Sequence, residues 1–239
     1  MVYVVYIMAQ QKIILSLEGN IGSGKSTLLK AFKDTKSFEF DIIPEPVGEW
    51  SLPNLPGGKS MLEAFYEDKA GNGFAFQMYA MLTRYRLMKL ALLKSGRSVI
   101  ITERSSWSDY ELFGTMMYDL GMFTDADWLA YTAWMEETTS SSPSGPSGII
   151  YMRTSPKACM DRIRGRARPG EENISAAYIK TLHDRHEEFI AVQKDKGVSV
   201  LVVDADALCI GGEKYMTETV DRIVEWTTAL LSGNPQKNN

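Results

Sequence analysis

The stretch Gly19-Asn20-Ile21-Gly22-Ser23-Gly24-Lys25-Ser26-Thr27 decides how this chain is read, because its first eight residues satisfy G-x-x-x-x-G-K-S in full. The glycines let the backbone curl so that successive N–H groups point at one anion, and a helix that follows adds its positive N-terminal end. In this reading Lys25 reaches the β and γ phosphates of a nucleoside triphosphate and Ser26 holds Mg²⁺. The flanks agree with it. Residues 12–18 (KIILSLE) form a β-branched apolar run that stops at Gly19, and a helical pattern, STLLKAFKD, begins after the glycines. A glycine turn with an incidental lysine is the plainer alternative. The loop alone leaves the acceptor open: water, a nucleoside, a nucleotide or another protein.

Working outward, further apolar runs occur at 40–43, 98–102 (SVIIT), 148–152 (GIIYM) and 199–203 (SVLVV). Between them, apolar side chains recur at helical spacing over 74–94, 125–137, 175–194 and 214–231. Continuously apolar strands alternating with helices predict a parallel sheet covered on both faces, the α/β class. The stretch 138–148 (TTSSSPSGPSG) is the one low-complexity segment and reads as a mobile surface loop, since the alternation resumes directly after it. One domain over 1–239 is expected, with flexible ends at 1–11 and 232–239. The opening MVYVVYIMA is too short to span a bilayer and lacks the basic flank of a signal peptide, so it reads as an untidy start with Met8 as an alternative initiator.

Composition narrows the partners. With 239 residues, 44% hydrophobic and 23% charged, the chain is neither disordered nor disulfide-dense. Its net charge of −4 disfavours nucleic acid or anionic membrane bound over the whole surface. Cys159 and Cys209 lie fifty residues apart without paired spacing, which indicates neither a zinc site nor a disulfide framework and suits a reducing, cytoplasmic setting.

Two strand ends carry further chemistry. Pro44-Glu45-Pro46 follows the second apolar run, and ligands of open α/β sheets bind at the carboxyl ends of strands, so Glu45 would stand beside the phosphate loop. Rigid flanking prolines hold its carboxylate where it can accept a proton from an attacking hydroxyl. A loop glutamate that merely turns the chain is the competing reading. The third run ends in Glu103-Arg104-Ser105: Glu103 takes the place of an acid directed at Mg²⁺, and Arg104 offers a fork of donors to a phosphate or to Glu45. Residues 153–168 hold six basic side chains and one acid, a local charge of +5. Arg162, Arg164, Arg166 and Arg168 repel one another and need an anionic partner. A lid closing over triphosphate, a basic arm for nucleic acid and a solvated helix end are the alternatives, and the acidic whole favours the lid.

Taken together, LEGNIGSGKST, PEPVGEW, FAFQMYA, ITERSSWSD, GIIYMRTSP, RIRGRARPGEE and LHDRHEEF resemble, in order and spacing, the deoxynucleoside kinase family, over about 13–203. The resemblance implies a P-loop kinase fold with a five-stranded parallel sheet, surrounding helices, an arginine-rich lid and a homodimer. By position it implies Glu45 as general base for the 5′-hydroxyl, Arg104 as the arginine on that carboxylate and the transferring phosphate, and Glu103 as the acid near Mg²⁺. Gln77 matches the glutamine that reads the base. Tyr66 and Glu171 match the pair on the sugar 3′-hydroxyl, with Glu172 adjacent and Gly170 where many relatives have another acid. Trp50, Phe76 and Phe113 match apolar walls, and the lid's Arg162, Arg166 and Arg168 would face the triphosphate.

A glutamine amide can flip to suit thymine, cytosine or a purine, so Gln77 does not choose the base. Arg84 lies two helical turns after Gln77 on the same face, and Asp109 follows Arg104 by five residues. Both match an Arg and an Asp of deoxycytidine and deoxyguanosine kinases where thymidine-accepting relatives are apolar. This favours deoxycytidine or a purine deoxynucleoside, because the charged pair would occupy the space of thymine's methyl. After the last apolar run, Val203-Asp204-Ala205-Asp206-Ala207-Leu208 lacks the acid-then-aromatic pairing that several relatives place beside the donor base, which leaves ATP and other triphosphates open. His183 and His186 could suit a metal by spacing, but the family has none on that helix. The expected activity is transfer of a γ-phosphate to the 5′-hydroxyl of a deoxynucleoside, with small-molecule partners and neither nucleic acid nor membrane. Rivals are a thymidine-accepting kinase, a nucleoside monophosphate kinase of the thymidylate type, and a non-catalytic nucleotide- or nucleic-acid-binding protein.

Overall fold

A computed structural model describes residues 12–36, 40–140 and 145–233. The expectations for 1–11, for 234–239 and for the middle of 138–148 lie outside the described residues. Strand β1 (Ile13–Glu18) runs into the glycine loop, and helix α1 (Lys25–Lys36) starts at the lysine of the motif. Then come β2 (Asp41–Ile43), short α2 (Val47–Trp50), α3 (Met61–Glu67) and the long α4 (Lys69–Lys94). After β3 (Val99–Glu103), one turn of α5 (Ser106–Ser108) passes into a π-helical turn, Asp109–Gly114, and on into α6 (Thr115–Asp119). The chain ends with α7 (Asp125–Ser140), β4 (Gly148–Arg153), α8 (Pro156–Arg166), α9 (Ala176–Asp195), β5 (Ser199–Asp204) and α10 (Ala205–Leu231).

The five strands pair in parallel in the order β2-β3-β1-β4-β5. Successive side chains of a strand point to opposite faces, and both faces are apolar here. Leu15, Leu17, Ile101, Ile150 and Leu201 meet Leu28 and Phe32 of α1 and Ile223 and Trp226 of α10. Ile149 and Tyr151 join the opposite core with Phe65, Phe76, Tyr131, Ile179 and Phe189. Two cores share one sheet, which is why every strand residue of β3 is buried. The chain leaves β1 toward β2 on one side and β4 toward β5 on the other, so a crevice opens where these two strands end.

Two boundaries differ from the sequence reading. The segment read as a loop over 138–148 is shorter at both ends, because α7 continues to Ser140 and β4 begins at Gly148. Thr138 satisfies its hydroxyl inside the helix by donating to the Trp134 carbonyl at 3.0 Å, so a serine- and threonine-rich sequence stays helical there. Helix α10 starts at Ala205, well before the periodic pattern at 214–231, and kinks at Gly212, whose φ is +64°. The Asp204 carboxylate caps it by accepting from Asp206 N and Ala207 N, at 3.1 and 3.0 Å.

Candidate functional site

The glycine loop closes tightly on its surroundings. At Gly22 φ is +78°, and a Cβ there would stand 2.6 Å from the Cys159 carbonyl oxygen. At Gly19, with φ +149°, it would stand 2.8 Å from that of Met152. Glycine is needed at both for conformation and for space. Lys25 is buried and donates to the carbonyls of Gly19 at 3.1 Å and Asn20 at 3.0 Å, with the Glu103 carboxylate at 4.0 Å. Burial, then the charge of Arg104, lower its ammonium to about 8 against the opposing pull of Glu103 and Glu45. The Ser26 hydroxyl lies 3.2 Å from both Glu103 oxygens. Mg²⁺ usually takes one or two protein oxygens and completes its shell with phosphate and water, so the Ser26 and Glu103 pair at the mouth of the loop is a fitting donor set. Arg162 donates to the carbonyls of Ser23 at 3.1 Å and Ala205 at 2.9 Å, tying the loop to the start of α10.

Across the cavity, Glu45 is the centre of an ionic network. It accepts from Arg84 and, at 3.1 Å, from Nε of Arg104. Burial alone would raise its carboxyl, but Arg84, Arg104 and Lys25 outweigh that and hold it down at about 2. Arg84 also pairs with the fully buried Asp109 and lies 4.8 Å over the Trp50 ring. Burial works against the Arg84 charge, and Asp109 and Glu45 keep it protonated. Burial raises the Asp109 carboxyl, opposed by Arg84. Arg104 adopts φ +63°, with its guanidinium 4.6 Å over the Phe113 ring and 3.4 Å from Nε2 of His186. His186 is fully buried and its Nδ1 lies 2.5 Å from the Leu182 carbonyl. Burial and the neighbouring Arg104 hold it neutral, so Nδ1 donates to Leu182 and Nε2 accepts from Arg104. With both ring nitrogens engaged, the His183 and His186 spacing makes no metal site.

A third wall carries Tyr66 and Glu171. Glu171 is 3% exposed and accepts from Nε and NH2 of Arg166, both at 2.6 Å, and from Arg168 at 3.1 Å. Its neighbour Glu172 faces outward. These walls enclose a cavity of about 440 Å³ lined by Trp50, Tyr66, Phe76, Gln77 and Phe113 on one side and by the glycine loop on the other. A largely apolar compartment whose charges are paired therefore adjoins a cationic one, and the shared wall carries a carboxylate.

The family model for deoxynucleoside kinase matches residues 15–227. The chain belongs to the deoxynucleoside kinase family. It is accordingly a phosphotransferase with the α/β architecture described above. It is similar to a probable deoxycytidine kinase of fowlpox virus, 30% identical over 218 residues covering 90% of this chain and 88% of that protein. Mouse deoxycytidine kinase is 31% identical over 236 residues, 91% of this chain and 90% of the mouse protein. The mitochondrial deoxyguanosine kinase of Xenopus laevis is 27% identical over 215 residues, 80% and 81% of the two chains. No helix among the described residues is long and apolar enough to cross a membrane.

Within this deoxynucleoside kinase, the residues singled out from the sequence meet in one place. Ile21, Gly22, Ser23, Gly24, Lys25, Ser26 and Thr27 line the cavity, as do Glu45, Arg84, Glu103, Arg104, Asp109 and Glu171. Gly19 and Asn20 stand behind the lining: their carbonyls hold Lys25, and Asn20 Nδ2 donates to the Ile179 carbonyl of α9 at 2.9 Å. The arginines that the sequence directs at triphosphate, Arg162, Arg166 and Arg168, line the same cavity, with Arg162 bonded to loop carbonyls and Arg166 and Arg168 to Glu171. Sequence reasoning missed Tyr178, which lines the cavity from α9, and Tyr131, which lies behind it, and it weighed His186 only for a metal and not as the partner of Arg104. His186 was within reach, since it lies in the LHDRHEEF marker. Tyr131 was not, because an aromatic on a helix reads as core.

Proposed function

We propose that the protein moves the γ-phosphate of ATP to the 5′-hydroxyl of deoxycytidine or a purine deoxynucleoside, with Mg²⁺ on Ser26 and Glu103. One observation carries this reading: the wall between the cationic and apolar compartments bears Glu45, a carboxylate already engaged by two arginines. An acceptor phosphate would meet repulsion there, whereas an uncharged hydroxyl meets an acceptor, which favours a nucleoside over a nucleoside monophosphate. A carboxylate held at about 2 is a weak base, so Glu45 orients the hydroxyl by accepting its hydrogen bond and takes the proton late. That suits a loose transition state, in which positioning and charge neutralisation matter more than basicity. Lys25, Arg104 and the arginines of α8 and the turn after it stabilise the charge on the transferring phosphate, and bound Mg²⁺ would add to that neutralisation. Trp50, Phe76 and Phe113 sandwich the base, Gln77 reads its edge, and Tyr66 with Glu171 takes the 3′-hydroxyl. Arg84 paired to Asp109 disfavours thymine, whose methyl would have to displace a desolvated ion pair.

The same reading places the protein in the cytoplasm as one domain and a homodimer. Exposed Leu82, Leu90 and Leu93 on α4 and Leu129 on α7 support a helix-to-helix contact. The test is triphosphate consumption with each deoxynucleoside and each deoxynucleoside monophosphate in turn. Turnover with nucleosides, deoxycytidine or a purine above thymidine, is the expected result; turnover confined to monophosphates overturns it.

A further inference from the structure

Behind the base-reading wall lies a hydroxyl that the functional reading leaves unused. Tyr131 of α7 is fully buried, with its ring so close beneath Gly114 that a Cβ there would stand 2.4 Å from it. Its hydroxyl donates to the main-chain carbonyl of Asp109 at 2.9 Å. That hydrogen is spent, so toward Gln77 the tyrosine can only accept, and Nε2 of Gln77 lies 3.2 Å away. The same amide nitrogen is 3.3 Å from the Asp109 carbonyl and 3.4 Å from Asp109 Oδ1. Three acceptors thus face one end of the Gln77 amide, and turning it over would set its oxygen against three oxygens in a site where Gln77 is 2% exposed. Unsatisfied acceptors at such depth are costly.

We propose that Tyr131 is a specificity-determining positioning residue that locks the orientation of the Gln77 amide. In this arrangement one N–H of Gln77 is committed inside and the second would serve the ligand, next to Asp109, whose Oδ2 is buried without a hydrogen-bond partner. The site then offers a donor beside an acceptor in a set order. Cytosine, with a ring nitrogen that accepts and an amino group that donates, complements it, and adenine does so through the same pair of groups. Thymine and guanine present a ring N–H beside a keto oxygen, the opposite polarity, and would need the amide reversed. The amide that the sequence leaves free to flip is therefore fixed by a residue 54 positions away.

This inference rests on the deoxynucleoside reading of the cavity, and the experiment separates the two. kcat/KM is measured for all four deoxynucleosides with the unsubstituted protein, Tyr131→Phe, Gln77→Leu and the double variant. The phenylalanine keeps the ring under Gly114, and thermal denaturation verifies folding. The unsubstituted protein is expected to favour deoxycytidine over thymidine and deoxyadenosine over deoxyguanosine. Tyr131→Phe should shrink both ratios about fivefold, the size of one net hydrogen bond, and should leave them unchanged when Gln77 is already leucine. A purely structural role lowers all four values equally, and simple crowding of the thymine methyl moves the pyrimidine ratio alone; either result overturns the proposal. Should Tyr131→Phe not fold, Tyr131→Met, which also lacks the hydroxyl, takes its place with the same expected and overturning results. Absence of turnover with any deoxynucleoside overturns the functional reading beneath it.

Discussion

The two halves of the cavity treat charge in opposite ways. On the acceptor side Glu45, Arg84, Asp109 and Arg104 neutralise one another through direct pairs. On the phosphate side Lys25 and Arg162 spend their donors largely on backbone carbonyls, which carry no charge to balance them. Buried opposite charges are tolerated when paired and hydrogen-bonded, so the acceptor half is balanced in charge and suited to a neutral ligand. A buried ammonium with only one carboxylate at 4.0 Å is under-compensated, and its lowered pKa is the physical signature of that deficit. On the proposed reading, the contrast would let one small cavity take a nucleoside at one end and a polyanion at the other.

The contrast can be broken most severely at the carboxylate the two halves share. Glu45→Gln should keep deoxynucleoside affinity within a few-fold and lower kcat by about 10²- to 10⁴-fold, the usual range for a positioned proton acceptor; stopped-flow or quench measurement of a single turnover separates binding from transfer, and near-normal turnover removes the role. A smaller effect is expected from emptying the acceptor half of its paired charges. Arg84→Met combined with Asp109→Ala removes both partners together, since either alone leaves a buried charge uncompensated. The kcat/KM ratio should move toward thymidine by about tenfold, the scale of one methyl-sized discrimination, and an unchanged ratio shows that the pair does not bound the base.

The mildest test sharpens the phosphate half. Bound triphosphate favours the Lys25 ammonium, so its pKa rises from about 8 when nucleotide binds. Below that value the proton is already present. As pH climbs through it, the proton must be taken from solution and nucleotide affinity falls, by about fourfold between about pH 7 and 8.5 for a group of this pKa. Calorimetry in buffers of different ionisation enthalpy should register the uptake, and Lys25→Met should abolish the pH dependence. A flat affinity profile in the unsubstituted protein means that Lys25 is fully charged in the empty site.

Much of the fold was readable because its determinants are local. The apolar runs ending at Glu18, Ile43 and Thr102 mark β1, β2 and β3 within a residue, since strands covered on both faces read as mainly apolar runs. Helix ends were less readable: α7 and α10 extend past their periodic cores, where Thr138 bonds back to its own helix and Asp204 supplies a cap. The site divides along the same line. Glu45, Arg104 and Lys25 follow strand ends, where α/β chemistry collects, and were found by position. Where Arg166 and Arg168 point was not, because a flexible arginine goes to whichever carboxylate packing brings near, and Glu171 is the one.

What the sequence determined by itself, then, is the presence of an anion-binding loop, the alternation that builds a parallel sheet and the residue types at each strand end, all properties of short segments. Tertiary structure alone decided which charges cancel and which stay unbalanced. It also decided that His186 steadies Arg104 across 82 residues and that Gln77 faces one way. Hydrogen-bond polarity and desolvation depend on what surrounds a group in space, and for these buried side chains the surroundings come from helices far apart in the chain.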